Sequence, residues 1–378
     1  MIYFDNAATT TVDKEVINSY KKALEDNFGN ASSKHRFGQD SERLYIKAKK
    51  QIAKYLAPTE VSPEEIIITS GATESNNLSI LGITNRYYKR GKHIITTEVE
   101  HPSVLEVFKH LEKNGFEITY LSVNKDGIDI EELRKKLRHD TILVSIMGVN
   151  NEVGSIFDIE NLSKTVKENS NAFFHCDATQ ALSKVKQNYK YCDLISFSAH
   201  KLHGIKGSGL LVKRKNVDLV PVFFGGGQED GYRSGTKNLP AAIALATTLR
   251  VAEETYDTRR KKAESLKTYL ISELNKIDSV EIVDIKNSSP FILSFITKKH
   301  KASVIAEALS EKDIMVSTKS ACSSKNLGGS YVLNAYGYSE KDTTNGIRLS
   351  FCGNEDIIQG KIFIDELKAI LDRTKKNE

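Results

Sequence analysis

Two side chains in this sequence stand in surroundings that point to covalent chemistry, a lysine and a cysteine. Lys201 closes the segment Ser196-Phe197-Ser198-Ala199-His200-Lys201, directly behind the apolar run Leu194–Ser198. Lysines are almost never fully buried without a partner, and an amine kept unprotonated forms Schiff bases with carbonyl compounds. A surface lysine at a strand end has the same local pattern, so Lys201 alone does not decide the matter. Cys322 lies in Lys319-Ser320-Ala321-Cys322-Ser323-Ser324, inside a glycine- and serine-rich loop over residues 317–330. Loop thiols are the reactive kind, whereas Cys176 and Cys192 sit in apolar runs and read as core residues. Cys352, behind Phe351 at a strand end, fits either description.

Two further clusters have the composition of a ligand site. Asp177 ends an apolar run, and Gln180 follows it in the next turn. A carboxylate at the end of a buried strand is desolvated and needs a partner. A protonated pyridine nitrogen is one such partner; a helix N-terminus is the commoner one. The turn Thr69-Ser70-Gly71-Ala72-Thr73-Glu74 joins a strand to a helix, and its free N–H groups suit a phosphate. An ordinary cap by Ser70 or Thr73 gives the same pattern. No G-x-x-x-x-G-K-[ST] occurs, and Gly204, Gly207 and Gly209 do not form G-x-G-x-x-G, so no nucleotide motif is present. His200 and His203 lack a third ligand at sensible spacing and no cysteines are spaced C-x-x-C, so no metal is expected.

These residues must be carried by a regular scaffold. Short apolar runs at Ile66–Thr69, His93–Thr97, Glu117–Leu121, 141–149, 172–176, Leu194–Ser198 and 209–212 alternate with helical patterns at 74–90, 104–113 and 159–168. Such alternation predicts an α/β fold with a mostly parallel sheet covered by helices, and ligands at the C-terminal strand ends. A charged helical pattern over residues 256–275 leads to strands at 281–283, 291–296 and 347–351, a helix near 304–312 and a closing helix at 357–371. That half reads as a smaller α+β domain.

The 378 residues exceed the roughly 250–300 at which one core stops growing, so two domains are expected. The 54 basic and 49 acidic residues are spread along the chain, which gives no basis for direct nucleic-acid binding. The densest basic run, Lys298-Lys299-His300-Lys301, reads as a solvated turn. No window approaches the ~20 apolar residues of a membrane span. Four cysteines are too few for a disulfide framework in a chain of this length, and a reducing cytoplasm is expected.

In order along the chain, these segments resemble the cysteine desulfurases of the NifS/IscS type, a branch of the class V aminotransferase-like, fold-type-I enzymes of pyridoxal 5′-phosphate (PLP). The similarity runs from Tyr3-Phe4-Asp5-Asn6-Ala7-Ala8-Thr9-Thr10 to Gly346-Ile347-Arg348-Leu349-Ser350. It implies a large domain over 16–256, and a small one from 1–15 and 257–378 that carries the cysteine loop. It implies Ala72 and Thr73 at the phosphate, with Ser198 and His200 as further phosphate ligands. His101, in Glu100-His101-Pro102, matches the histidine that stacks on the ring and moves protons. Asn151 matches a residue near cofactor and substrate, Asp177 and Gln180 the partners of the ring nitrogen and O3′, and Lys201 the Schiff-base lysine. Asn30 and Arg348 resemble the pair that holds the substrate carboxylate.

The segment from Gly225 to Thr236 is similar to one that reaches a neighbouring subunit's phosphate, implying a homodimer. L-cysteine is the implied substrate, alanine the product, and Cys322 the persulfide-forming thiol. A sulfur-acceptor protein follows, for iron–sulfur cluster assembly or for tRNA or cofactor thiolation. Two prolines of the family pattern are replaced, by Ala31 and Ile205, with the polar residues around them kept. Competing readings are a selenocysteine lyase or another β-eliminating PLP enzyme, and a chain whose main role is to donate sulfur as a bound partner.

Overall fold

The computed structural model describes residues 1–56, 60–318 and 329–375. Its centre is a seven-stranded sheet in the order Ile66–Thr69, Gly209–Lys213, Leu194–Ser198, Phe173–Asp177, Thr141–Ser145, His93–Thr97, Glu117–Leu121. The sheet is mostly parallel, as expected; Gly209–Lys213 alone runs against both neighbours. Six of these strands are buried at every residue, and side chains alternate between two apolar layers. Ile66, Ile68, Ile95, Phe174 and Ile195 enter one layer. Ile67, Ile94, Phe173, Leu194 and Leu211 enter the other, which is the period-two consequence of covering both faces of a sheet with helices. The apolar run 141–149 leaves the ladder at Ser145, and its last residues turn into the cavity described below.

The helix Ala72–Tyr87 follows the first strand of the sheet and packs between it and the Pro102–Lys113 helix. It is buried on several faces and includes buried Ser75, Asn76 and Ser79. Ser75 Oγ donates to Leu210 O at 2.9 Å, so the hydroxyl is satisfied across the sheet. Three helices, Lys14–Asp26, Arg36–Tyr55 and Leu239–Glu254, form a separate layer outside the strand–helix alternation read from the sequence.

The C-terminal part holds a three-stranded antiparallel sheet, Gly346–Ser350, Ile292–Thr297, Val280–Ile282, with helices Tyr256–Leu274, Ala302–Ser310 and Ile357–Lys375. The N-terminal strand Ile2–Tyr3 pairs in parallel with Ile314–Met315. Phe4 sits edge-on to Phe351 and Phe363 at 5.3 and 5.8 Å, which draws the chain start into this core. Lys298, Lys299 and Lys301 are exposed as a solvated turn should be, but His300 is buried, its carbonyl accepting from Thr297 Oγ1 at 2.7 Å. Among the described residues no helix is long and apolar enough to cross a membrane.

Candidate active site

The C-terminal ends of the parallel strands open onto one cavity of about 190 Å³, the crevice where such sheets bind ligands. Behind the first strand, Gly71 takes φ +153°, and a Cβ there would stand 3.0 Å from Ser198 Oγ. Only a residue without that carbon lets the turn close on the neighbouring strand. Ala72 N–H then donates to Ser198 Oγ at 2.7 Å, at the open end of its helix.

The strand His93–Thr97 leads to Glu100 and His101. Glu100 is wholly buried, and burial pushes its carboxyl up to about 8. Its Oε1 accepts from Thr97 Oγ1 at 2.8 Å and Met147 N at 2.9 Å, tying two strand ends together. His101 caps the Pro102–Lys113 helix through Nδ1, which accepts from Ser103 N at 3.1 Å. Burial holds the imidazole below its usual range, with Asp177 opposing and Lys201 reinforcing the effect. The ring is therefore neutral at pH 7 and carries its proton on Nε2.

Asp177 ends its strand at the cavity floor. Its Oδ2 accepts from Asn76 Nδ2 at 2.8 Å and its Oδ1 from Thr179 N at 3.0 Å. Gln180 Nε2 donates to Ala7 O at 3.0 Å, and Lys201 Nζ reaches the same carbonyl at 2.8 Å and Ala8 O at 2.6 Å. The amine is thus pinned over the N-terminal segment, within the cavity wall. His200 is pushed down to about 4 by burial and by Lys201, and its Nδ1 lies 3.2 Å from Thr9 Oγ1.

Arg348 enters from the smaller sheet and is 5% exposed. Its Nη1 donates to Asn151 O at 2.9 Å and its Nη2 to Asp5 Oδ1 at 2.7 Å. Arg348 Nε and the nearby Thr179 Oγ1 are buried and find no hydrogen-bond partner among the described residues. Two orphaned donors at a cavity wall mark a place for a polar ligand.

The structure thus gathers Ala72, Thr73, His101, Asn151, Asp177, Gln180, Ser198, His200, Lys201 and Arg348 around one cavity. It does not bring Thr236 or Asn30 there. Thr236 is exposed, and Asn30 is exposed with Oδ1 accepting from Ser32 N at 2.9 Å. Cys322 lies outside the described residues. Cys176, Cys192 and Cys352 are buried, and burial raises all three thiols, that of Cys352 to about 12. Cys352, ambiguous by position, lies with Sγ 3.2 Å from Glu355 Oε1 and is held as a thiol. Asn76, Asp5, Ser103, Thr179 and the Ala7 and Ala8 carbonyls went unread in the sequence. A polar residue inside a helix, or a backbone carbonyl, carries no local signal of such a role.

A family model, aminotransferase class-V, matches residues 2–357, and the chain belongs to that family. The family uses PLP, and within it the chain is similar to cysteine desulfurases. It is 41% identical over 358 residues to cysteine desulfurase IscS of Pectobacterium carotovorum, covering 92% of this chain and 87% of that one. A solved NifS-like protein superimposes with a TM-score of 0.92 at 36% identity, covering 98% of this chain and 99% of the other. SspA, solved in complex with cysteine, gives a TM-score of 0.82 at 30% identity over 93% of this chain and 99% of its own.

The residues present fit that cofactor. The cavity offers a helix N-terminus with a hydroxyl for a phosphate, a hydrogen-bonded buried carboxylate for a ring nitrogen, a flat imidazole on its wall and a lysine amine.

Proposed function

We propose that the chain is a cysteine desulfurase that converts L-cysteine to L-alanine and leaves the sulfur as a persulfide on Cys322. The observation that carries this is the convergence of Lys201, Asp177, His101 and Arg348 on one cavity, in a family whose members similar to this chain are cysteine desulfurases. Ala72, Thr73, Ser198 and His200 hold the cofactor phosphate, Asp177 the ring nitrogen and Gln180 the phenolic oxygen. When bound, PLP supplies an electron sink for negative charge at the substrate α-carbon.

The protein groups divide the remaining work. Arg348 orients the substrate carboxylate, for which a planar guanidinium is suited, and Nε is the donor left for it. Lys201 Nζ takes the α-proton, and neutral His101 exchanges a proton with the substrate thiol or amine. The Cys322 thiolate forms an S–S bond with the substrate sulfur as that sulfur's bond to Cβ breaks. Cβ takes a proton, Lys201 returns one to Cα, and alanine leaves.

Asn30 joins Arg348 at the substrate, and Asn151 lines both sites. Thr236 serves the phosphate of a second subunit, in keeping with its exposure here, and the exposed Phe223 and Phe224 beside that segment support a homodimer. The division at 16–256 against 1–15 and 257–378 is supported by the apolar cluster that joins Ile2 and Phe4 to the C-terminal helices. An acceptor protein then takes the sulfur, in a reducing cytoplasm where the three buried cysteines stay thiols.

Lys201→Ala tests the cofactor half. The purified wild type absorbs at roughly 400–420 nm, as the lysine-bound cofactor does, and cysteine changes that spectrum. The variant loses the band; an unchanged spectrum overturns the assignment.

A further inference from the structure

Gln180 stands between two groups that leave it one orientation. Lys184 Nζ donates to Gln180 Oε1 at 2.7 Å, and Gln180 Nε2 donates to Ala7 O at 3.0 Å. A lysine ammonium donates only and a backbone carbonyl accepts only, so while Lys184 is protonated the amide cannot turn over without losing both bonds. The same Ala7 carbonyl receives Lys201 Nζ. A continuous chain therefore runs from Lys184 through Gln180 and Ala7 to the amine at the centre of the site.

Lys184 is an expensive way to hold an amide. It is 6% exposed, and no carboxylate lies within ion-pair distance among the described residues. Burial, with Lys201 and Arg259 adding to it, pushes its amine down to about 7. A buried amine without a counter-ion destabilises the fold relative to an apolar side chain of the same length. Its placement is also built into the backbone. Ser183 takes φ +54°, in the left-handed region, a conformation that strains a residue other than glycine. Arg259 Nη2 holds the Ser183 carbonyl at 3.0 Å, and the bend returns Lys184 to Gln180 four residues back.

We propose that Lys184 is a positioning residue: it locks the Gln180 amide so that its NH₂ faces the cavity, with one N–H on Ala7 and the other available to an oxygen of the bound cofactor. The inference rests on the proposed function, in which that oxygen is the phenolic one. An N–H donated to that oxygen favours its anionic form. Losing the lock lets the amide present its carbonyl instead, which disfavours the anion.

The test titrates the visible absorbance of the reconstituted holoenzyme. Lys184→Met keeps the length and removes the donor, and should raise the midpoint by on the order of one pH unit. Lys184→Gln, which donates without charge, should restore it to near the wild-type value. In a Gln180→Ala background, Lys184→Met should add no further shift. An unmoved midpoint in Lys184→Met, or a shift of equal size when Gln180 is absent, overturns the proposal. If Lys184→Met does not fold, Lys184→Ala read with and without propylamine carries the same contrast, and a midpoint indifferent to the amine overturns it. Absence of any visible band in the wild-type holoenzyme would instead contradict the proposed function itself.

Discussion

Asn76 Nδ2 donates to Asp177 Oδ2 at 2.8 Å, joining the helix Ala72–Tyr87 to the carboxylate at the end of the strand Phe173–Asp177. The same amide nitrogen lies 2.9 Å from Ser103 Oγ, which in turn lies 2.8 Å from His101 Nδ1. One helix residue thus connects Asp177 and His101, the carboxylate and the imidazole that line the cavity. Truncation to Asn76→Ala leaves a buried carboxylate oxygen without its donor, a loss of about 1–3 kcal/mol. Cofactor affinity, measured by fluorescence titration of the apoenzyme, should fall roughly tenfold or more on that scale. An unchanged affinity would show that Asp177 is held by Thr179 alone.

Arg348 crosses from the smaller sheet to the cavity and splits its fork between Asn151 O and Asp5 Oδ1. Replacement by lysine keeps the charge and loses the planar set of donors. In Arg348→Lys, KM for cysteine should rise about 10- to 100-fold, and kcat should fall much less. Equal loss in both parameters would mean that the guanidinium acts in the chemistry and not in binding.

His175 gives the fold a dependence on acid. Its ring lies between Ser145 Oγ at 2.8 Å and Ser196 Oγ at 2.9 Å, inside the sheet. Burial lowers it from the ordinary 6.5 to about 4. The unfolded chain binds that proton first as pH falls, so stability is intact above pH 6.5 and drains away between 6.5 and 4. At 1.36 kcal/mol per unit the loss is on the order of 3 kcal/mol. His175→Gln, able to bond both serines without titrating, should flatten the fall in Tm over that window. A fall as steep as the wild type's would assign the acid sensitivity elsewhere.

The central strands were legible as apolar runs, whereas His101, Asn151 and Arg348 came only through the family resemblance. Lys201 and Asp177 stand where a buried strand meets its loop, and that position is written in local sequence. Asp5 and Asn76 were not legible, since they meet Arg348 and Asp177 across 343 and 101 residues of chain. Lys184 carries no local signal of its role; only the three-dimensional path of residues 178–185 turns it back onto Gln180. The helices Lys14–Asp26 and Arg36–Tyr55 were missed because their apolar positions are sparse between charges. His300 was misjudged because a run of lysines hides the one member that turns inward.

The step that separates a desulfurase from other PLP enzymes is the transfer of sulfur to Cys322. The holoenzyme is incubated with L-cysteine without reductant, alkylated, digested and analysed by mass spectrometry, with the organic product identified in parallel. The expected result is one extra sulfur on the Cys322 peptide and alanine in equal amount, and in Cys322→Ser neither, with the visible absorbance retained. Pyruvate, ammonia and free sulfide, formed as fast in Cys322→Ser as in the wild type, would contradict it and make the chain a β-eliminating lyase.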